Sequence, residues 1–248
     1  MSENQNKYVS DELYHFVGFS HPEDHETNYE TLLKIIDSKC VSHPPHDGYS
    51  QEIRITLNWD AKIEEGELVV PEVICFCDIP YEALGIHMAK YGRFGLSFRR
   101  RFLVTWGVRP VTYVPIQPDS FTVGPASVYS IFIIPEWQAI WQGFYEHVRA
   151  PIKQTSWTHT LAEKPVSAND AIIAAHDLMA RHFFGFLKAF NADLVEDSSE
   201  NFYMEREWRK INNLPFEIGN VASVVVPESY KVRLQNDRPD YSDKIKTI

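Results

Sequence analysis

The sequence predicts an α+β fold, with a mixed or largely antiparallel central sheet, whole or split in two, and helices packed on it. Three observations carry that expectation. Strand-like and helix-like segments interleave without the regular βα repeat that a parallel barrel needs. Residues 73–114 hold strand, helix, strand, helix and strand signals with almost no loop between them. No G-x-G-x-x-G, P-loop or G-x-S-x-G pattern occurs, which disfavours dinucleotide-binding, P-loop and α/β-hydrolase folds.

The first strand is expected at 12–18 (ELYHFVG), with Leu13, His15 and Val17 on one side and Tyr14 and Phe16 on the other. His15 thus shares a face with apolar residues, where a histidine is either a satisfied core group or a functional one. Thr27 and Glu30 form a capping box for a helix over 28–38, whose buried stripe is Tyr29, Leu32, Leu33 and Ile36. Alternation at Ile53, Ile55, Leu57 and Trp59 marks a half-buried strand, and 68–70 is another short one.

In the central block, the apolar run 73–77 precedes Asp78, placed to N-cap a helix over 79–91 in which Pro80 tolerates the missing N–H. Tyr81, Leu84, Met88 and Tyr91 fall on one helical face and Gly92 ends it. The next strand, 94–98, sets Phe94, Leu96 and Phe98 against Gly95 and Ser97. Glycine inside a strand marks a close approach, so Gly95 with Ser97 is either the floor of a binding cleft or a site of tight packing.

A strand is expected at 110–114, a loop at 115–125, and an aromatic-rich helical region at 126–147 interrupted at Pro135. A polar loop at 150–166 leads to a helix over 168–190 lined by Ile172, Ala175, Met179, Phe183, Phe186 and Phe190. Residues 202–211 (FYMEREWRKI), read as extended, put Tyr203, Glu205, Glu207 and Arg209 on one face. Two neighbouring carboxylates repel unless a cation intervenes, and Arg209 can supply it; the other reading is a solvated edge strand. Residues 221–226 form an apolar, central strand. One domain is expected over 1–231, followed by a polar, partly disordered C-terminal tail at 232–248.

The 248 residues, 44% hydrophobic and 13% aromatic, suffice for one substantial core. The polar start lacks a basic segment followed by an apolar run, and no stretch reaches about 18 apolar residues, so the expected setting is cytoplasmic, without a membrane span. The net charge of −10 opposes non-specific nucleic-acid binding and leaves Arg99, Arg100 and Arg101 as the one local basic patch through which nucleic acid could bind. An acidic surface equally suits a basic protein partner. Cys40, His43, His46, Cys75 and Cys77 supply metal-ligand types, but without a paired C-x₂-C knuckle, and no metal site is assigned to them.

Three blocks, LYHFVGF near the start, VICFCDIP through KYGRFGLSF in the middle and YMEREWR near the end, resemble the AbiGi family of abortive phage-resistance proteins. That family is described as the antitoxin half of an abortive-infection pair, so the resemblance implies phage defence and a partner toxin protein. A wider motif order resembles ADP-ribosyltransferases and implies a sheet of that kind with an NAD-binding cleft. In it His15 and Ser97 would hold the nicotinamide ribose, Tyr91 would stack on nicotinamide, and Glu207, with Glu205 adjacent, would stabilise an oxocarbenium-like ribose. Ser97 lacks the flanking Ser or Thr of that pattern, and the pattern leaves open which glutamate acts. The chain is thus expected either to be an NAD-dependent ADP-ribosyltransferase or to neutralise a toxin by binding without catalysis.

Overall fold

The alternating apolar segments expected to be strands build the inner part of a seven-stranded sheet in this computed structural model, which describes residues 10–46, 55–58, 60–61, 69–116, 134–149, 168–191, 193–195, 198 and 201–248. In chain order the first elements are β1 (Glu12–Val17), α1 (His25–Ser38), β2 (Cys40–Val41), β3 (Ile55–Leu57), β4 (Val69–Pro71) and β5 (Val73–Cys77). Next come α2 (Gly85–Tyr91), β6 (Phe94–Arg99), α3 (Arg100–Thr105), β7 (Arg109–Pro110) and β8 (Thr112–Ile116). They are followed by α4 (Ile134–Phe144), α5 (Ala168–Leu178), β9 (Leu187–Asn191), β10 (Glu207–Ile211), β11 (Leu214–Pro215), β12 (Val221–Val226), α6 (Lys231–Asp237) and β13 (Ile245–Thr247). The expected loop at 150–166, and most of that at 115–125, lie outside the described residues.

The chain divides into two units, one formed by 1–53, 72–111 and 194–248 and the other by 54–71 and 112–193. The first holds the sheet, in the order β13-β12-β6-β1-β5-β10-β7, antiparallel throughout except for the parallel pair β12 and β13. Its fold class is therefore α+β with a mixed, largely antiparallel sheet. On one face Leu13, Val17, Phe94, Leu96 and Phe98 pack with Tyr29, Leu32, Ile35 and Ile36 of α1. On the other, Tyr14, Phe16, Cys77 and Val225 pack with Leu84, Met88 and Tyr91 around α2. The second unit pairs β3 with β4 and, in parallel, β8 with β9, and packs Val69, Trp141, Ala180 and Phe184 together.

Several local expectations shift. Helix α1 begins earlier than 28 because Asp24, not Thr27, is its cap, accepting the Thr27 N–H at 3.1 Å. Asp78 caps nothing: its carboxylate accepts from Arg100 at 2.9 Å, and the following residues make a 3-10 turn (Tyr81–Ala83) before α2. Gly92 does end the helix, at φ 84°, where its N–H reaches the Met88 carbonyl. The helix expected over 168–190 stops near 178, turns through a π-helical segment (Met179–Phe183) and becomes β9. Its inward side is also rotated by one residue: Ile173, His176 and Ala180 are buried, whereas Met179 and Phe183 are exposed. Apolar residues on both sides of that helix made the two readings equivalent, and the rings of Trp141 and Phe144 against His176 decide between them.

The segment expected to be a polar tail carries structure. Tyr29 donates to Asp237 at 2.8 Å, and β13 adds a parallel strand beside β12. Phe202–Glu205 is a 3-10 turn rather than the start of a strand, and Arg206, at φ 44°, swings the chain so that β10 begins only at Glu207. No helix among the described residues is long and apolar enough to cross a membrane.

Candidate functional site

Strand register decides which of the predicted residues meet. Ser223 pairs with Ser97, Ser97 with Tyr14, Tyr14 with Cys77 and Cys77 with Glu207. Directly paired residues point to the same side of a sheet, so these five form one row on the α2 face. His15 pairs with Leu96, one residue out of phase, and faces the opposite side. The structure therefore brings Tyr91, Glu205 and Glu207 together, sets Ser97 farther along the same face in another network, and separates His15 from all of them.

Around Tyr91 the groups are closely matched. Glu205, buried at the end of its 3-10 turn, accepts from Lys90 Nζ at 2.6 Å and from the Tyr91 hydroxyl at 2.5 Å. Burial, and then the charge of Glu205, hold the Tyr91 phenol far above its usual range, so it stays protonated and donates. The ammonium of Lys90 lies 4.3 Å from the centre of the Phe202 ring. Glu207, also buried, accepts from Arg209 Nε at 2.6 Å and from its second nitrogen at 3.2 Å, the cation expected from the sequence. Phe19, an exposed ring at the turn after β1, stacks on Tyr91 with centroids 5.5 Å apart.

His87 joins this cluster from one turn before Tyr91, its ring stacked on the tyrosine at 4.4 Å. Burial, helped by the Lys90 charge and opposed by Glu207, pushes the His87 imidazole down to about 4. Because its folded value lies below the unfolded one of about 6.5, its share of stability is complete above that pH and is lost as the pH falls toward 4. The loss is at most about 3 kcal/mol, less where water reaches the half-buried ring. Urea unfolding at pH 7 and pH 5 should show His87→Phe losing less stability on acidification than the wild type.

Ser97 has a different environment. Fully buried, its hydroxyl lies 2.6 Å from that of Ser223 and donates to Glu12 at 2.7 Å, and Glu12 also accepts from Lys246 at 3.1 Å. Burial alone would push the Glu12 carboxyl up; the bonds from Ser97 and Lys246 outweigh it and hold the group below its usual value. Gly95, the other half of the expected cleft floor, is covered by the Phe16 ring and the His15 carbonyl, so the small residues serve packing. Ser97→Ala should cost only about 1 kcal/mol in a denaturant melt, since Glu12 keeps Ser223 and Lys246; a loss above about 3 kcal/mol would contradict this assignment.

Of the arginine run, Arg100 is spent on Asp78 and the Ser10 carbonyl, while Arg99 and Arg101 are exposed. None of the three cysteines is in a disulfide; Cys40 and Cys77 are buried and Cys75 is exposed. Among the described residues no group of three or more His, Cys, Asp or Glu side chains is placed to hold a metal ion. Lys90, His87 and Phe19 are members of the Tyr91 cluster that no motif in the sequence singles out. The i, i+3 and i+4 spacing of His87, Lys90 and Tyr91 was a signal for the first two.

Residues 54–246 match the family described as "Putative abortive phage resistance protein AbiGi, antitoxin". The matched span contains the middle and late sequence blocks and begins after the LYHFVGF block. No curated protein and no solved structure matches the chain.

Proposed function

The chain belongs to the AbiGi family, and on that premise we propose that it is the antitoxin of an abortive-infection pair and neutralises its partner toxin by direct binding rather than by ADP-ribosyl transfer. The family match, over more than three quarters of the chain, carries the proposal. The net charge of −10 supports it, since an acidic protein meets a basic partner faster and in a salt-sensitive way.

The geometry favours binding over NAD chemistry. Of the residues that the ADP-ribosyltransferase order would need, Tyr91, Glu205 and Glu207 are neighbours, but His15 faces away and the Ser97 hydroxyl is engaged with Glu12 and Ser223. Glu207 is already neutralised by Arg209, which leaves less of its charge to stabilise an oxocarbenium-like ribose. Cells expressing the toxin of the pair supply the test. Co-expression of this chain should restore growth, and the two proteins should co-purify as a complex that weakens as salt rises. Restored growth with no complex, and a toxin carrying an ADP-ribose adduct, would overturn the proposal in favour of NAD-dependent transfer.

A further inference from the structure

Positive charge collects at one end of the sheet of this acidic protein. Strands β5 and β6 finish at that end while β1 and β10 start there, which brings Ser10, Asp78, Arg99 and Arg206 to one corner. Asp78, buried, accepts from Arg100 at 2.9 Å and from Arg206 at 3.5 Å, and its N–H donates to the Arg206 carbonyl. One carboxylate thus holds two guanidinium groups. Arg99 and Arg101, on either side of Arg100 in the chain, are exposed and make no ion pair among the described residues.

The acids of this corner do not cancel that charge. Glu12, directly opposite Arg99, is engaged by Ser97 and Lys246, and Glu205 and Glu207 by Lys90 and Arg209. Asp11, whose carbonyl accepts the Arg100 N–H, adds one carboxylate to that of Asp78. Four guanidinium groups therefore stand against two carboxylates in a chain of net charge −10. Such a concentration of like charge is unfavourable unless a polyanion offsets it.

Helix α3, which starts from the arginines, adds an aromatic ring. Trp106 at its C-terminal end is 43% exposed, set edge-on to Phe102, and its carbonyl accepts from Lys210 at 2.9 Å. It follows Arg101 by roughly 7.5 Å along the helix axis. Guanidinium forks bind phosphate oxygens in pairs, and an exposed indole stacks an unpaired base. A helix of six residues, lying against its own sheet, is too short to read the major groove of a duplex.

We propose that this corner binds single-stranded nucleic acid, with phosphates on Arg99 and Arg101 and a base stacked on Trp106. Arg100, pinned by Asp78 and the Ser10 carbonyl, is a positioning residue that fixes the start of α3. The acidic remainder of the surface repels the strand and confines it to this end. The site is independent of toxin neutralisation and of the Tyr91 cluster.

Fluorescence anisotropy of the full-length chain with labelled oligouridine and oligothymidine tests it. Either probe should bind saturably, more tightly than a duplex and less tightly as salt rises. Arg99→Gln and Arg101→Gln together should weaken binding at least tenfold and flatten the logarithmic salt dependence by about 1.4, two phosphate contacts at about 0.7 each. Trp106→Ala should weaken binding about fivefold or more and leave that slope unchanged. No saturable binding at low salt, or full binding by the double variant, would overturn the site; so would polyglutamate displacing the probe equally well, which would assign the corner to an acidic protein. Should the double variant fail to fold, ultraviolet cross-linking of the wild type to oligothymidine decides: residues 99–109 should be labelled, and cross-links confined to other segments would refute the proposal.

Discussion

Glu205→Ala is expected to destabilise the sheet-bearing unit by about 3–5 kcal/mol. The carboxylate is buried and accepts from both Lys90 and Tyr91, so alanine takes one acceptor from a largely buried ammonium and one from a half-buried phenol. Removing one member of a buried pair costs more than the pair's net worth, because the partner's charge remains desolvated. Denaturant unfolding measures the loss. Lys90→Met in the same chain should recover part of it, as the abandoned charge is then gone; no recovery would show that the pair is not what Glu205 supports.

Gly95→Val is expected to cost about 3 kcal/mol or more. A Cβ at Gly95 would lie 2.6 Å from the His15 backbone carbonyl and 2.9 Å from the Phe16 ring. The first is a backbone atom of the neighbouring strand, so β1 and β6 would have to separate where they pair most extensively. Phe16→Ala would relieve the ring contact alone, and the double variant should remain strongly destabilised. Near-wild-type unfolding of Gly95→Val would mean that β1 and β6 are not paired in this register.

Much of the sheet was legible because alternation in LYHFV and FGLSF is a local signal that survives packing. The relative phase of the two strands was not. Pairing Tyr14 rather than His15 with Ser97 reverses which of them shares a face with Ser97, and only register, set by long-range contacts, chooses. The Glu12, Ser97, Ser223 and Lys246 network joins residues up to 234 positions apart, which no window of sequence reveals. The alternation of EREWR suggests a strand through Glu205; the left-handed turn at Arg206 breaks that phase, and the sequence carries no glycine there to announce it. The tail read as polar because its buried groups are few and spaced, yet Leu234 and Tyr241 are enough to anchor it.

Glu207→Gln distinguishes neutralisation by binding from neutralisation by catalysis. Glutamine keeps the shape and one acceptor for Arg209 while removing the charge, at a cost of about 2 kcal/mol that a melting curve can verify. In cells expressing the partner toxin, the folded variant should restore growth as well as the wild type and should co-purify with the toxin. A folded Glu207→Gln protein that still binds the toxin but no longer restores growth would contradict neutralisation by binding.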